Sequence, residues 1–213
     1  MNVIEVIDAR KQFGQQMVLK DVCLNCEAGK IYGIVGYNGS GKSVLFKCIS
    51  GLMTLDSGTV MINGRKKKSG EILSEAGVII EGPAYLKYKS AYENLDYLYR
   101  MTHKKDKAYL FDLIRKVGLD PESKKHVGKF SMGMKQRLGI AQALMEQNKI
   151  LILDEPMNGL DKKGIGQMRL MFLELKNQGY TMLFASHNKE DIDTLCDEVY
   201  EMDAGVLTKC ADK

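Results

Sequence analysis

One eight-residue segment constrains this chain more than any other. Gly36-Tyr37-Asn38-Gly39-Ser40-Gly41-Lys42-Ser43 has the spacing G-x-x-x-x-G-K-[ST], and the apolar run Ile31 to Val35 stands immediately before it. A run without polar alternation reads as a strand buried on both faces, as in a parallel sheet. Behind the segment, Val44, Leu45, Cys48 and Ile49 share one face of a helix that stops near Gly51. A strand, a glycine-bearing loop and a helix in that order make a nest of backbone N–H groups at the positive end of a helix dipole, which suits phosphate. The binding segment runs from Gly36 to Val44. Lys42 is expected on the β- and γ-phosphates of ATP, and the Ser43 hydroxyl on Mg²⁺.

Composition narrows the class. The chain has 213 residues, enough for one globular domain or one domain with a dependent subdomain. Its 31 basic and 27 acidic residues leave a formal charge of only +4, so the overall balance does not argue for nucleic acid. Met1 to Glu5 lacks the basic flank and apolar stretch of a secretory signal, and no apolar run approaches the roughly 20 residues needed to span a bilayer. The chain is therefore expected in the cytoplasm, docking onto a membrane if one is involved. Five scattered cysteines suit a reducing compartment. Cys23-Leu24-Asn25-Cys26 has redox or half-zinc spacing, but there is no second such pair, and Val22, Leu24 and Cys26 alternate as the inward face of a strand.

Along the chain, strands are expected at Val3 to Ile7 and Val18 to Cys26. A further strand from Gly58 to Ile62 leads to the hairpin signal Asn63-Gly64. Arg65-Lys66-Lys67-Lys68 beyond it reads as a solvated hairpin edge, with phospholipid head groups as the other reading. From Tyr85 to Glu146 the pattern is helical. Ser90 and Glu93 have capping-box spacing, Tyr92, Leu95 and Tyr99 share a face, and Leu110, Leu113 and Ile114 mark another helix. Alternation then returns: a strand Ile150 to Leu153, a helix bearing Ile165, Met168, Phe172 and Leu175, a strand Met182 to Ala185, and a short helix. The fold class is α/β, a mostly parallel sheet with an antiparallel β portion and an inserted helical subdomain. Expected boundaries are 1–84 with 149–213 for the core and 85–148 for the helical insert, within a single domain 1–213.

Asp154 and Glu155 close the strand Ile150 to Leu153, at the end of a parallel sheet where sites gather. Asp154 suits Mg²⁺, a hard cation that prefers oxygen. Glu155 can orient the attacking water or take its proton. Two acids ending a strand at a helix N-terminus are the other reading. His187 follows the strand Met182 to Ala185 and can sense phosphate charge, although a lone histidine is often structural.

Together with Phe130-Ser131-Met132-Gly133-Met134-Lys135-Gln136-Arg137 and Asn158-Gly159-Leu160-Asp161, these motifs resemble the ATP-binding cassette (ABC) family over essentially the whole chain. The first segment stands where the family has its signature L-S-G-G-Q, with Ser131 and Gly133 matching and Phe130, Met132 and Met134 departing. The second is similar to the D-loop. The resemblance implies an ABC-type phosphate-loop fold and ATP hydrolysis. It implies a dimer with a second nucleotide-binding subunit, in which Ser131 and Gly133 contact the γ-phosphate held by the opposite chain. It further implies separate transmembrane permease subunits, a place on the cytoplasmic face of the cell membrane, and no nucleic acid. Lys42, Glu155 and His187 take the family's catalytic positions. Phe13 stands where the family stacks an aromatic ring on adenine, and Glu81, in Val78-Ile79-Ile80-Glu81-Gly82-Pro83, where it has a glutamine on Mg²⁺. The acid at 81 and the methionine-bearing signature resemble the peptide-antibiotic and lantibiotic export or immunity branch. A soluble cassette ATPase acting as an assembly module without a permease is the alternative. A metabolic kinase would use the same loop but leaves the signature-like segment without a role.

Overall fold

The computed structural model describes residues 1–82 and 84–211; Pro83, Asp212 and Lys213, which fall within the expected boundaries, lie outside the described residues. The chain opens with a long hairpin, β1 (Asn2–Phe13) and β2 (Gln16–Glu27), followed by β3 (Ile31–Val35) and α1 (Lys42–Ser50). Then come β4 (Ser57–Ile62), the short β5 (Arg65–Lys66) and β6 (Ala76–Ile79). Three helices follow, α2 (Ala91–Tyr99), α3 (Lys107–Lys116) and α4 (Met132–Leu144). The chain closes with β7 (Ile150–Asp154), α5 (Lys162–Asn177), β8 (Thr181–Ala185), α6 (Lys189–Leu195), β9 (Glu198–Asp203) and β10 (Val206–Lys209).

Two sheets result. The order β10-β9-β3-β8-β7-β6 is parallel from β9 to β6, with β10 an antiparallel edge; the order β2-β1-β4-β5 is antiparallel throughout. The central strands β3, β7 and β8 are buried on both faces because nearly all their positions are apolar, and the pleat sends successive side chains to opposite sides. Leu151, Leu153, Met182 and Phe184 pack with α2 to α5 in one core. Ile150, Ile152, Leu183 and Ala185 pack with α1 and the antiparallel sheet in the other. Phe172 of α5 meets Phe184 edge to face at 5.0 Å, a geometry that contributes about 0.5–1.5 kcal/mol beyond area burial.

The N-terminal strands run further than expected. Register shifts between Val6 and Ala9 carry β1 past a bulge at Asp8, whose φ is +48°, and the strand continues to Phe13. The bulge breaks the two-residue alternation on which the sequence reading relied. The basic run after Asn63-Gly64 differs too: Arg65, Lys66 and Lys68 are exposed, but Lys67 is half-buried and donates to Glu71 O at 3.0 Å, and burial lowers its pKa. Cys26 is buried while Cys23, three residues earlier and on the other face, is exposed, so the two do not form a paired site. In α2 the capping box closes as expected, with Glu93 N donating to Ser90 Oγ at 3.2 Å and Ser90 N to Glu93 Oε2 at 2.8 Å.

Candidate active site

The chain reverses between β3 and α1 through residues 36–41. Gly36 has φ +148°, and a Cβ there would sit 2.2 Å from Met202 O, so the loop rests directly on the end of β9 and admits no side chain. The turn between β9 and β10 supports the same loop, since Gly205 N donates to Ser40 O at 3.1 Å. Within the loop Ser40 N donates to Tyr37 O at 3.1 Å. Lys42 is buried and its Nζ folds back to donate to Gly36 O at 2.7 Å and Tyr37 O at 3.0 Å.

In the parallel sheet β8 lies between β3 and β7, so the carboxylates on β7 meet the phosphate loop across one intervening strand. The first turn of α1 bridges that distance: Ser43 Oγ donates to Asp154 Oδ2 at 2.5 Å. Glu155 takes a left-handed turn at φ +49°, a conformation that is uncommon outside glycine and asparagine. Its backbone is held from two sides, N donating to Ala185 O at 2.9 Å and O accepting from Gln136 Nε2 at 3.3 Å. Its Oε1 lies 2.8 Å from His187 Nδ1. Glu81, also left-handed at φ +58°, pairs with Lys47 Nζ at 2.6 Å.

A cavity of about 610 Å³ joins these parts; Asn38, Lys42, Ser43, Glu81, Asp154 and Glu155 all line it. A second cavity of about 370 Å³, lined by Gln16, Lys20, Ser40 and Gly205, shares Val18 and Gly39 with the first. The residues fit a nucleotide with Mg²⁺. Ser40 Oγ is buried without a hydrogen-bond partner and Lys42 spends its charge on neutral carbonyls, so both have capacity for phosphate oxygens. Ser43 and Asp154 already meet as two hard oxygen donors.

Several expected residues stand apart from the main cavity. Phe13, about half exposed at the tip of the β1–β2 hairpin with Lys11 Nζ 5.5 Å above its ring, lines neither cavity, and Tyr37 is exposed. Ser131 is the N-cap of α4, accepting from Met134 N at 3.2 Å, and it and Gly133 lie outside the main cavity's lining, which Met132 and Gln136 reach instead. Gly133 has a role in its own chain: a Cβ there would approach Gly159 O to 2.8 Å, so the signature-like segment and the D-loop-like segment touch backbone to backbone. Lys47 on Glu81, and Val18 and Gln136 in the cavity lining, are site residues that no motif in the sequence marks individually. Of these, Lys47 carried a signal, its i, i+4 spacing from Ser43 on α1. Among the described residues no helix is long and apolar enough to cross a membrane.

The ABC transporter family model matches residues 19–158. An uncharacterised ABC transporter ATP-binding protein of Bacillus subtilis (strain 168), YybJ, is 39% identical over 206 residues, 96% of this chain and 94% of that protein. The lantibiotic transport ATP-binding protein SrtF of Streptococcus pyogenes is 38% identical over 195 residues, 92% of this chain and 84% of its own length. Among solved structures, an ATP-binding subunit of an ABC transporter superposes with a TM-score of 0.86 at 28% identity, covering 98% of this chain and 89% of the other. With a family match over most of its length and relatives of this closeness, the chain belongs to the ABC transporter family, as an ATP-binding subunit that hydrolyses ATP with Mg²⁺.

Proposed function

We propose that two such subunits close on ATP, each site combining Lys42, Ser43, Asp154 and Glu155 of one chain with Ser131 and Gly133 of the other. The observation that carries this reading is the single cavity in which the phosphate loop, the Ser43–Asp154 contact and Glu155 converge. Lys42 exchanges its loop carbonyls for the β- and γ-phosphates, with the backbone N–H groups of 36–41 and Val44 completing the cradle. Phe13 offers a π face to adenine from the hairpin tip. Ser43 and Asp154, with Glu81 on the cavity wall, would hold Mg²⁺, which would supply charge neutralisation on the phosphates. Glu155 orients the attacking water and accepts its proton, while His187 holds that carboxylate in place and faces the γ-phosphate, from which ADP departs. Positioning and electrostatics carry the reaction, as phosphoryl transfer requires.

Closure of the pair drives a separate membrane-spanning permease, and the chain works on the cytoplasmic face of the cell membrane. In this reading residues 85–148 act as a helical unit that moves against 1–84 and 149–213. The cargo class is peptide antibiotics, supported by the likeness to the lantibiotic transport protein and by the acid at Glu81. Purification of the tagged chain from detergent-solubilised membranes tests the reading. Recovery of a membrane-spanning partner supports it; exclusively soluble partners would turn the assignment to an assembly ATPase.

A further inference from the structure

The cavity has an unbalanced charge lining. It presents three carboxylates, Glu81, Asp154 and Glu155, against one ammonium, Lys42, and in the proposed function it must also accept a polyanionic triphosphate. Asp154 is met by the Ser43 hydroxyl and Glu155 by His187, which is charged only when protonated. Among the described residues, Glu81 alone of the three has a full cation at contact distance, Lys47 Nζ at 2.6 Å. Lys47 itself is absent from the lining, and its side chain is 24% exposed against 66% for Glu81. It lies one helical turn beyond Ser43, on the same side of α1, so it reaches Glu81 from behind the phosphate-binding end of the helix.

We infer that Lys47 is a positioning residue of the ATP site, one that holds the Glu81 carboxylate on the cavity wall and cancels the negative charge it would otherwise set beside the triphosphate. The inference rests on the reading of this cavity as the ATP site. Exposure makes the pair a minor contributor to folding, as is usual for surface ion pairs. Its effect falls on the occupant, because a charge beside a partly enclosed polyanion is screened less than one in open water. Glu81 and Gly82 are both left-handed, at φ +58° and +77°, and the contact from Lys47 on α1 fixes where the Glu81 carboxylate rests.

The test is ATP binding by calorimetry in EDTA, where no divalent cation contributes, for wild type, Lys47→Met, Lys47→Arg, Glu81→Gln and the Lys47→Met/Glu81→Gln pair. Lys47→Met should weaken binding about tenfold and Glu81→Gln should tighten it about threefold, opposite signs that an electrostatic role demands. The double variant should return to within about twofold of wild type and Lys47→Arg should resemble wild type, both differences shrinking at high salt. Melting curves confirm that each variant is folded. Single variants that shift affinity in the same direction, or a Lys47→Met loss that Glu81→Gln does not relieve, would overturn the inference while leaving the cavity assignment standing. A wild type that binds no ATP would overturn that assignment, and this inference with it.

Discussion

Replacing Gly133 by alanine separates a stability effect from a functional one at the contact between the signature-like and D-loop-like segments. The added Cβ would lie 2.8 Å from Gly159 O and 3.3 Å from Leu160 Cδ2. The closer atom is backbone, so either α4 or the D-loop-like segment must retreat by a few tenths of an ångström. Overpacking of this kind costs about 1–3 kcal/mol. Against it, alanine is favoured over glycine within a helix by about 1 kcal/mol, of which a first-turn position recovers only part. The net loss is therefore about 1 kcal/mol, a melting shift of roughly 2–4 °C for a chain of this size. Function should suffer more. The signature-like segment belongs to the proposed contact with the opposite subunit, and since a 1 Å misplacement can cost about a hundredfold in rate, a displacement of a few tenths should cost about tenfold. Thermal melting, ATP affinity of the dilute protein and steady-state phosphate release read the three effects separately. Hydrolysis within twofold of wild type, with the melting shift present, would refute the view that this contact sets the geometry of catalysis.

Glu155→Gln keeps the side-chain shape and a partner for His187 but removes the base, so phosphate release should fall about 10²–10⁴-fold while ATP binding persists and an ATP-dependent dimer accumulates, read by light scattering. Arg137 Nη1 donates to Val117 O at 2.7 Å and Nη2 to Gln167 Oε1 at 2.9 Å, tying α4 to α3 and α5; Arg137→Met should cost about 1.5–3 kcal/mol in denaturant unfolding. The Ser90 N–H and then Lys89 hold the Glu93 carboxyl down to about 2 from its usual 4.5. A depressed folded pKa contributes stability that is complete above the unfolded value and lost as pH falls through the folded one. Wild type should therefore lose melting temperature more steeply than Glu93→Gln between pH 5 and pH 2, and parallel curves would discount the capping box.

What could be read from the sequence was whatever rests on local chemistry. The phosphate loop carries its own turn residues, the capping box at Ser90 and Glu93 is a local matter of residues three apart, and 150–153 of β7 and 182–185 of β8 are unbroken apolar runs. What could not be read depends on meetings between distant segments. The bulge at Asp8 is a consequence of pairing β1 with both β2 and β4, and Gly58 approaches Asp8 O where a Cβ would lie at 2.5 Å. Lys67 turns inward because Glu71 O accepts from it. The Lys47–Glu81 pair joins residues 34 positions apart, and Gly133 acquires its constraint from Gly159. The left-handed backbone at Glu155 likewise comes from the hydrogen bonds that Ala185 and Gln136 impose on it.

The strand that launches the phosphate loop has a consequence for the order of events during synthesis. Residues 31–35 pair only with strands made much later, Ile31 to Ile34 with 182–185 and Tyr32 to Val35 with 198–201, and the loop itself leans on Met202 and Gly205. At about 5–20 residues per second, some 170 further residues occupy the ribosome for on the order of ten to thirty seconds. Until 182–185 are made β3 has no neighbour in its sheet, and until Met202 and Gly205 are made the loop has no floor. Nucleotide affinity thus waits on residues 182–205, and a ribosome stalled before residue 181 would hold a chain with the whole phosphate-loop motif and neither of the strands that flank β3.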